Sequence, residues 1–340
     1  MSATRVLVYR KAIVAEVPVK GFYVLDDGLL IRNKFTRNMG YIIDGLLRLA
    51  SVSVFDEGGT SRTANTGDGG LIRSLNTSYE QGPTVFLQLG TGTVSPTVND
   101  NNLASPSAML PTSYIDVDED TSNTSILIAS RYGLSSLVNV AEIGLKLLID
   151  VYYNYATLLS RAVLPSAVSR SPYAIYFDGY QLTFPAEFTR WFVRALYCAM
   201  VGHRRRATIC LPAKASDGSD YSIQNGATFA GSPDVVIGSD NTPTSPTNTN
   251  LRSPIASLSS QSQAVEVDTS LNEVRVVRTG IYTPVTTVTL GEIGLFANIN
   301  GYVGATVAGR RTLLVRVALP TPVTLNAGTT YTLGIVLKFS

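Results

Sequence analysis

The chain has 340 residues, 45% of them hydrophobic and only 15% charged, with Gly 28 and Pro 16 spread along its length. That composition excludes disorder as the dominant state and is ample for two domains. Lys+Arg 27 against Asp+Glu 25 leaves a formal charge of +2, which supplies no strong field for nucleic acid or an anionic membrane.

In chain order, Leu29-Leu30-Ile31 reads as a short strand, and Thr36 as the cap of a helix near 36–50. Met39, Ile42, Ile43, Leu46, Leu47 and Leu49 recur there at helical spacing. Strand-forming sequence follows at 84–89, 125–130, 158–164, 173–177 and 180–184. A second helix is predicted near 189–201, capped by Thr189, carrying Phe192, Val193, Leu196, Tyr197, Met200 and Val201, and closed by Gly202. The segment 329–339 alternates at Tyr331, Leu333, Ile335, Leu337 and Phe339, as a half-buried closing strand does. No apolar run reaches about 18 residues, so no membrane span is expected, and no signal peptide is read at the N-terminus.

Four anchors recur in the same order. Phe35-Thr36-Arg37 returns as Phe188-Thr189-Arg190, and Leu103-Ala104-Ser105-Pro106 as Leu251-Arg252-Ser253-Pro254. Glu142-Ile143-Gly144-Leu145 returns as Glu292-Ile293-Gly294-Leu295. The run from Leu158 through Arg161 to Pro165 returns from Leu313 through Arg316 to Pro320. Such a series indicates an internal duplication. The polar stretches 238–250 and 299–309 are expected to be surface loops between anchors. One helix among many strands disfavours a doubly wound α/β fold. The expected class is mainly β: two tandem similar antiparallel β-sandwich (jelly-roll-like) domains, each with one packed N-terminal helix. The first spans 1–175 and the second 176–340, rigidly coupled because no flexible linker separates them.

The order of helix, Leu89-Gly90-Thr91-Gly92, Pro96, Asn99-Asp100 and Glu142-Ile143-Gly144-Leu145 resembles a β-sandwich module of tailed-virus virion proteins, of the tail, baseplate or tail-fibre type. In the second copy Glu292-Ile293-Gly294-Leu295-Phe296 and Leu319-Pro320-Thr321-Pro322 look like that module's closing strands, while its Gly-Thr-Gly element is reduced to Gly238-Ser239-Asp240. The resemblance implies a non-enzymatic structural protein of the virion, assembled in the host cytoplasm into a ring, tail or baseplate component, or spike. Its partners would be copies of itself and other virion proteins. The alternative is a viral appendage that binds a receptor or host surface glycan, for which Tyr152, Tyr153, Tyr155, Tyr173, Tyr176 and Tyr180 would supply stacking surfaces.

The individual residues are read in that light. Gly90 and Gly92 relieve a sharp turn; they precede no Lys-Ser or Lys-Thr as a phosphate-binding loop requires. Glu142 and Glu292 lack a second repeated acid to divide acid and base roles, and with Arg161 and Arg316 they are expected at turn or subunit contacts. Arginine outnumbers lysine 21 to 6, a bias that suits interfaces. The run His203-Arg204-Arg205-Arg206 is expected at a subunit or lumen contact, with nucleic acid met only by proximity. Asp116, Asp118, Glu119 and Asp120 lack the EF-hand pattern and are expected in a solvated loop, calcium between subunits being the sharper reading. The single His203 has no histidine partners for a metal cluster, and no cofactor is expected. Cys198 and Cys210 are read as two free buried thiols, with a single bridge as the alternative.

Overall fold

A computed structural model describes residues 4–9, 11–48, 50–64, 85–110, 112–150, 155–201, 209–224, 229–304 and 306–340. The first half runs β1 (Arg5–Tyr9), β2 (Ala12–Val24), β3 (Leu30–Arg32), β4 (Lys34–Phe35), α1 (Arg37–Arg48), β5 (Val52–Phe55), β6 (Ser61–Ala64), β7 (Val85–Gly90), β8 (Pro106–Leu110), β9 (Tyr114–Glu119), β10 (Asn123–Gly133), β11 (Val138–Asp150), β12 (Tyr155–Arg170) and β13 (Ile175–Pro185). From its helix onward the second half repeats that order. It runs α2 (Arg190–Val201), β14 (Ile209–Lys214), β15 (Asp220–Gln224), β16 (Asp234–Gly238), β17 (Pro254–Ser257), β18 (Ser259–Asp268), β19 (Glu273–Tyr282), β20 (Val288–Val303), β21 (Thr306–Leu325) and β22 (Tyr331–Phe339). The protein is mainly β.

The largest sheet belongs to both halves. Its nine strands run β18-β19-β22-β2-β13-β10-β9, with β1 and β3 also laid along β2. A five-stranded sheet, β4-β12-β11-β7-β8, is built from the first half, and a six-stranded sheet, β14-β15-β20-β16-β17 with β21 on β20, from the second. Pairings among the described residues are antiparallel with one exception: β2 and β22 run parallel, Ala12 opposite Thr332 through Val19 opposite Phe339. The boundary expected between 175 and 176 therefore falls inside β13, which pairs with β10 on one edge and β2 on the other.

β2 is central because alternate residues Ile13, Ala15, Val17, Val19 and Tyr23 are all buried. Pro18 is tolerated in it for a specific reason. On the edge away from β22, β1 pairs with residues 12–16 and β13 with residues 20–24. Pro18 lies in the gap between them, where a missing N–H breaks no ladder.

The helices interlock the halves. α1 buries Met39, Ile42, Ile43, Leu46 and Leu47, the expected amphipathic face. Its Gly40 lies directly against Val274 and Val265 on β19 and β18, and Gln263 of β18 donates to Asp44 Oδ1 at 2.8 Å. α2 reaches the other way, where Arg194 forks onto Glu119 of β9 at 2.5 and 2.8 Å. Thr36 and Thr189 stand at the two helix starts as expected, but both hydroxyls donate to strand carbonyls, Leu158 O and Leu313 O. Only Thr189 also accepts from the N–H three residues on, Phe192, at 3.3 Å. One contiguous hydrophobic core runs from Ile13 to Phe339. A separate cluster holds Val236, Leu251, Phe296 and Leu313.

Two expected loops are ordered differently. The stretch 299–309 is the tip of the β20–β21 hairpin, with Tyr302 opposite Val307 and Val303 opposite Thr306. Asp116, Asp118 and Glu119 lie on β9, which pairs with β10 as an edge strand.

Candidate functional site

The repeated glutamates occupy the same backbone device twice. A bulge in β11 between Val140 and Glu142 turns the Glu142 side chain inward, and β20 has the same shift between Leu290 and Glu292. Opposite them Gly144 pairs with Arg161 and Gly294 with Arg316. The four ionic side chains are 0% to 2% exposed.

Glu142 Oε1 accepts from the amides of Gly92 at 3.1 Å and Ser105 at 2.7 Å. Its Oε2 accepts from Ala104 N at 3.0 Å and Arg161 Nε at 2.7 Å. Glu292 accepts from Ser253 N at 2.9 Å, Arg252 N at 3.3 Å and Arg316 Nε at 2.6 Å. Each carboxylate thus braces the loop ahead of β8 or β17, and charge-assisted bonds satisfy the buried groups. Gly90 and Gly238 are required by the closeness of these carboxylates: a Cβ would sit 2.6 Å and 2.4 Å from Oε1. The glycines expected to ease a sharp turn make room for a buried acid instead.

Each guanidinium has a second carboxylate, supplied from a different place in each half. Arg161 donates to Asp100 at 2.7 Å and to Val94 O at 2.8 Å. Arg316 donates to Asp240 at 3.1 Å and to the carbonyls of Thr242 and Pro243 at 3.2 and 3.3 Å. Asp240 stands where the first half has Gly92, and Asn248 where it has Asp100, by the offset that relates Ser105 to Ser253. The acid has moved along the loop while the two-carboxylate balance around each arginine is kept. The hydroxyl and amide of Thr242 hold the Asp240 carboxyl below its ordinary range.

Glu142, Arg161, Glu292 and Arg316 therefore face the chain's own interior. Of the turn or subunit salt bridge expected in each half, the turn form is the one present: two internal clamps, whose donors and acceptors are consumed by neighbouring loops. For the same reason neither glutamate is open to an incoming substrate. His203, Arg204, Arg205 and Arg206 lie outside the described residues, as do Thr84, Tyr152, Tyr153 and Gly202.

The remaining candidates separate. The acidic cluster diverges: Asp116 accepts from Tyr114 Oη, Glu119 pairs with Arg190 and Arg194, and Asp120 caps the turn at Ser122 and Asn123. Among the described residues no group of three or more His, Cys, Asp or Glu is placed to hold a metal ion. Cys198 and Cys210 are joined, with Cα atoms 6.0 Å apart, so the expectation of two free thiols is corrected. Cys198 lies on α2 and Cys210 on β14, so the bridge ties the helix to that strand. Tyr155 stacks under Arg62, Tyr180 packs on Tyr23 with ring centroids 4.9 Å apart, and Tyr176 lies beside Tyr132. Among the described tyrosines of this set, Tyr173 alone projects freely, 88% exposed.

Two polar clusters, each built around a buried charged side chain, escaped the sequence reading. Asp178 accepts from Arg170 at 2.8 Å and from Tyr132 Oη at 2.5 Å, and burial raises its carboxyl above the ordinary range. The other joins Lys146, Asn102 and Glu57. Neither carries a local signal, since their members come from separate strands and loops. No helix among the described residues is long and apolar enough to cross a membrane. Compared with known proteins, the chain matches no family model, no curated protein and no solved structure.

Proposed function

We propose that this chain is a non-enzymatic structural protein of a virus particle, built from two copies of a jelly-roll-like β-sandwich module. It assembles laterally with copies of itself and other virion proteins into a ring, a tail or baseplate component, or a spike. It is assembled in the host cytoplasm and resides in the virion. The virion assignment rests on the resemblance of the repeated motifs to tailed-virus proteins.

The observation that carries the assembly reading is an exposed apolar row on one face of β13. Ile175 and Phe177 are 55% and 56% exposed and share a face at two-residue spacing, with Tyr173 at 88% leading into them. Tyr173 is held there at a positive φ of 64° while its N–H donates to Leu134 O. Backbone strain and exposed apolar surface at one place favour a contact face over a solvated tip.

Native mass spectrometry across a concentration series tests the proposal. A discrete closed oligomer, reduced to monomer by Ile175→Ser with Phe177→Ser, supports it. A monomer at every concentration, together with glycan-array binding or adsorption to host cells, overturns it in favour of a receptor- or glycan-binding appendage.

A further inference from the structure

Lys146 lies on β11 with its side chain fully removed from solvent. Its Nζ donates to Asn102 Oδ1 at 2.6 Å and to Glu57 Oε1. With a carbonyl bond of about 1.23 Å, Nζ is no more than about 3.8 Å from the Asn102 Cγ, close to a near-attack separation. The Asn102 carbonyl is held still by the Leu103 N–H, which donates to the same Oδ1 at 2.8 Å. Burial pushes the Lys146 ammonium below the ordinary lysine range, which favours the nucleophilic amine.

The second half provides the comparison. The bulge between Leu145 and Lys146 recurs between Leu295 and Phe296, and Asn102 recurs as Asn250 with the same bond from the following amide. The β5–β6 turn closes through Gly59 N to Asp56 O, and the β14–β15 turn through Gly218 N to Ala215 O, which puts Ser216 in the place of Glu57. Phe296, 2% exposed, fills the place of Lys146. The module therefore accommodates an apolar ring there, whereas the first half keeps a buried ammonium at an appreciable desolvation cost. Lysine and glutamate are present together in the one half and absent together from the other.

We propose that Lys146 and Asn102 form an intramolecular isopeptide bond, with Glu57 as the proton carrier. Glu57 takes one proton from Nζ, and the Nζ lone pair adds to Asn102 Cγ. The Leu103 N–H meets the negative charge that develops on Oδ1. A second Nζ proton passes to Nδ2, the Cγ–Nδ2 bond breaks, and ammonia departs as the carbonyl re-forms. Of three Nζ protons, one ends on Glu57, one leaves with ammonia and one remains on the new amide. Nothing is oxidised or reduced and no co-reactant is needed.

The test is the intact mass of the purified chain after disulfide reduction, followed by a tryptic digest. The expected mass is lower than that of the sequence by about 17 Da, one ammonia lost to lysine attack on an amide. The digest should contain one branched peptide joining Lys146 to Asn102 and no cleavage after Lys146. Glu57→Gln and Lys146→Met, each checked for folding by circular dichroism, should both restore the full mass. A wild-type chain of full sequence mass that is cleaved at Lys146 overturns the proposal and leaves an ion pair between a buried lysine and a half-buried glutamate. A mass loss that persists in Lys146→Met also overturns it, by assigning the lost ammonia to another site.

Discussion

Phe35 and Phe339 meet edge to face with ring centroids 5.4 Å apart and both rings almost wholly buried. One precedes α1 and the other closes β22, so the contact belongs to neither half alone. Together with the shared sheet it predicts a single cooperative unfolding transition. Differential scanning calorimetry should give one peak whose calorimetric and van't Hoff enthalpies agree. Phe339→Ala should destabilise that one transition by about 3–5 kcal/mol. Two resolved peaks would contradict the interlocked arrangement.

The clamps predict a large penalty for removing one partner and a smaller one for removing both. Arg316→Met leaves the Glu292 carboxylate buried with only backbone donors, which should cost about 3–5 kcal/mol. Adding Glu292→Gln should recover part of that loss, and a double-mutant cycle from urea denaturation measures the coupling. Additive effects would mean that the two side chains do not act as a pair.

The duplication was legible because three of its four anchors build these clamps: the glutamate after the bulge, the arginine opposite, and the Ser-Pro where β8 and β17 begin. Their role was not, since a guanidinium can brace a loop or reach a partner, and burial decides between the two. β2 carried a period-two signal at Ile13, Ala15, Val17, Val19 and Tyr23. It was obscured by apolar Val14 and by Pro18, which ordinarily argues against a central strand. Its tolerance depends on a gap between β1 and β13 that only the assembled sheet creates. The partnership of Lys146 with Asn102 and Glu57 likewise needs three distant segments to meet.

The Cys198–Cys210 bridge ties α2 to β14 across a sequence separation of 12. In the chain-entropy account a loop of this size contributes about 3 kcal/mol. Thermal melts with and without reductant should differ accordingly, and Cys198→Ser with Cys210→Ser should match the reduced protein. Equal melting temperatures would show that native packing alone holds this segment.

Buried tyrosines give the protein an alkaline limit. Burial raises Tyr23 and Tyr180 well above the ordinary 10.0 and pushes Tyr221 up to about 12. The folded state holds these protons more tightly than the unfolded chain does. Their contribution is therefore complete below pH 10 and is lost as pH rises through the folded values. Tyrosinate absorbance should show a fraction of rings ionising only with unfolding, and Tyr221→Phe should move the alkaline midpoint upward. Ionisation of every ring near its ordinary value with the fold intact would refute this.

The parallel pairing of β2 with β22 also orders events in time. Ala12 meets Thr332 and Val19 meets Phe339, so one edge of β2 leaves the ribosome long before its neighbour has been synthesised. Contacts this remote in sequence close late and slowly, and until then the nascent first half exposes an open strand edge of the kind that invites aggregation. Emergence of β22 is thus the step that seals the central sheet, which makes synthesis of residues 331–339 a checkpoint for folding.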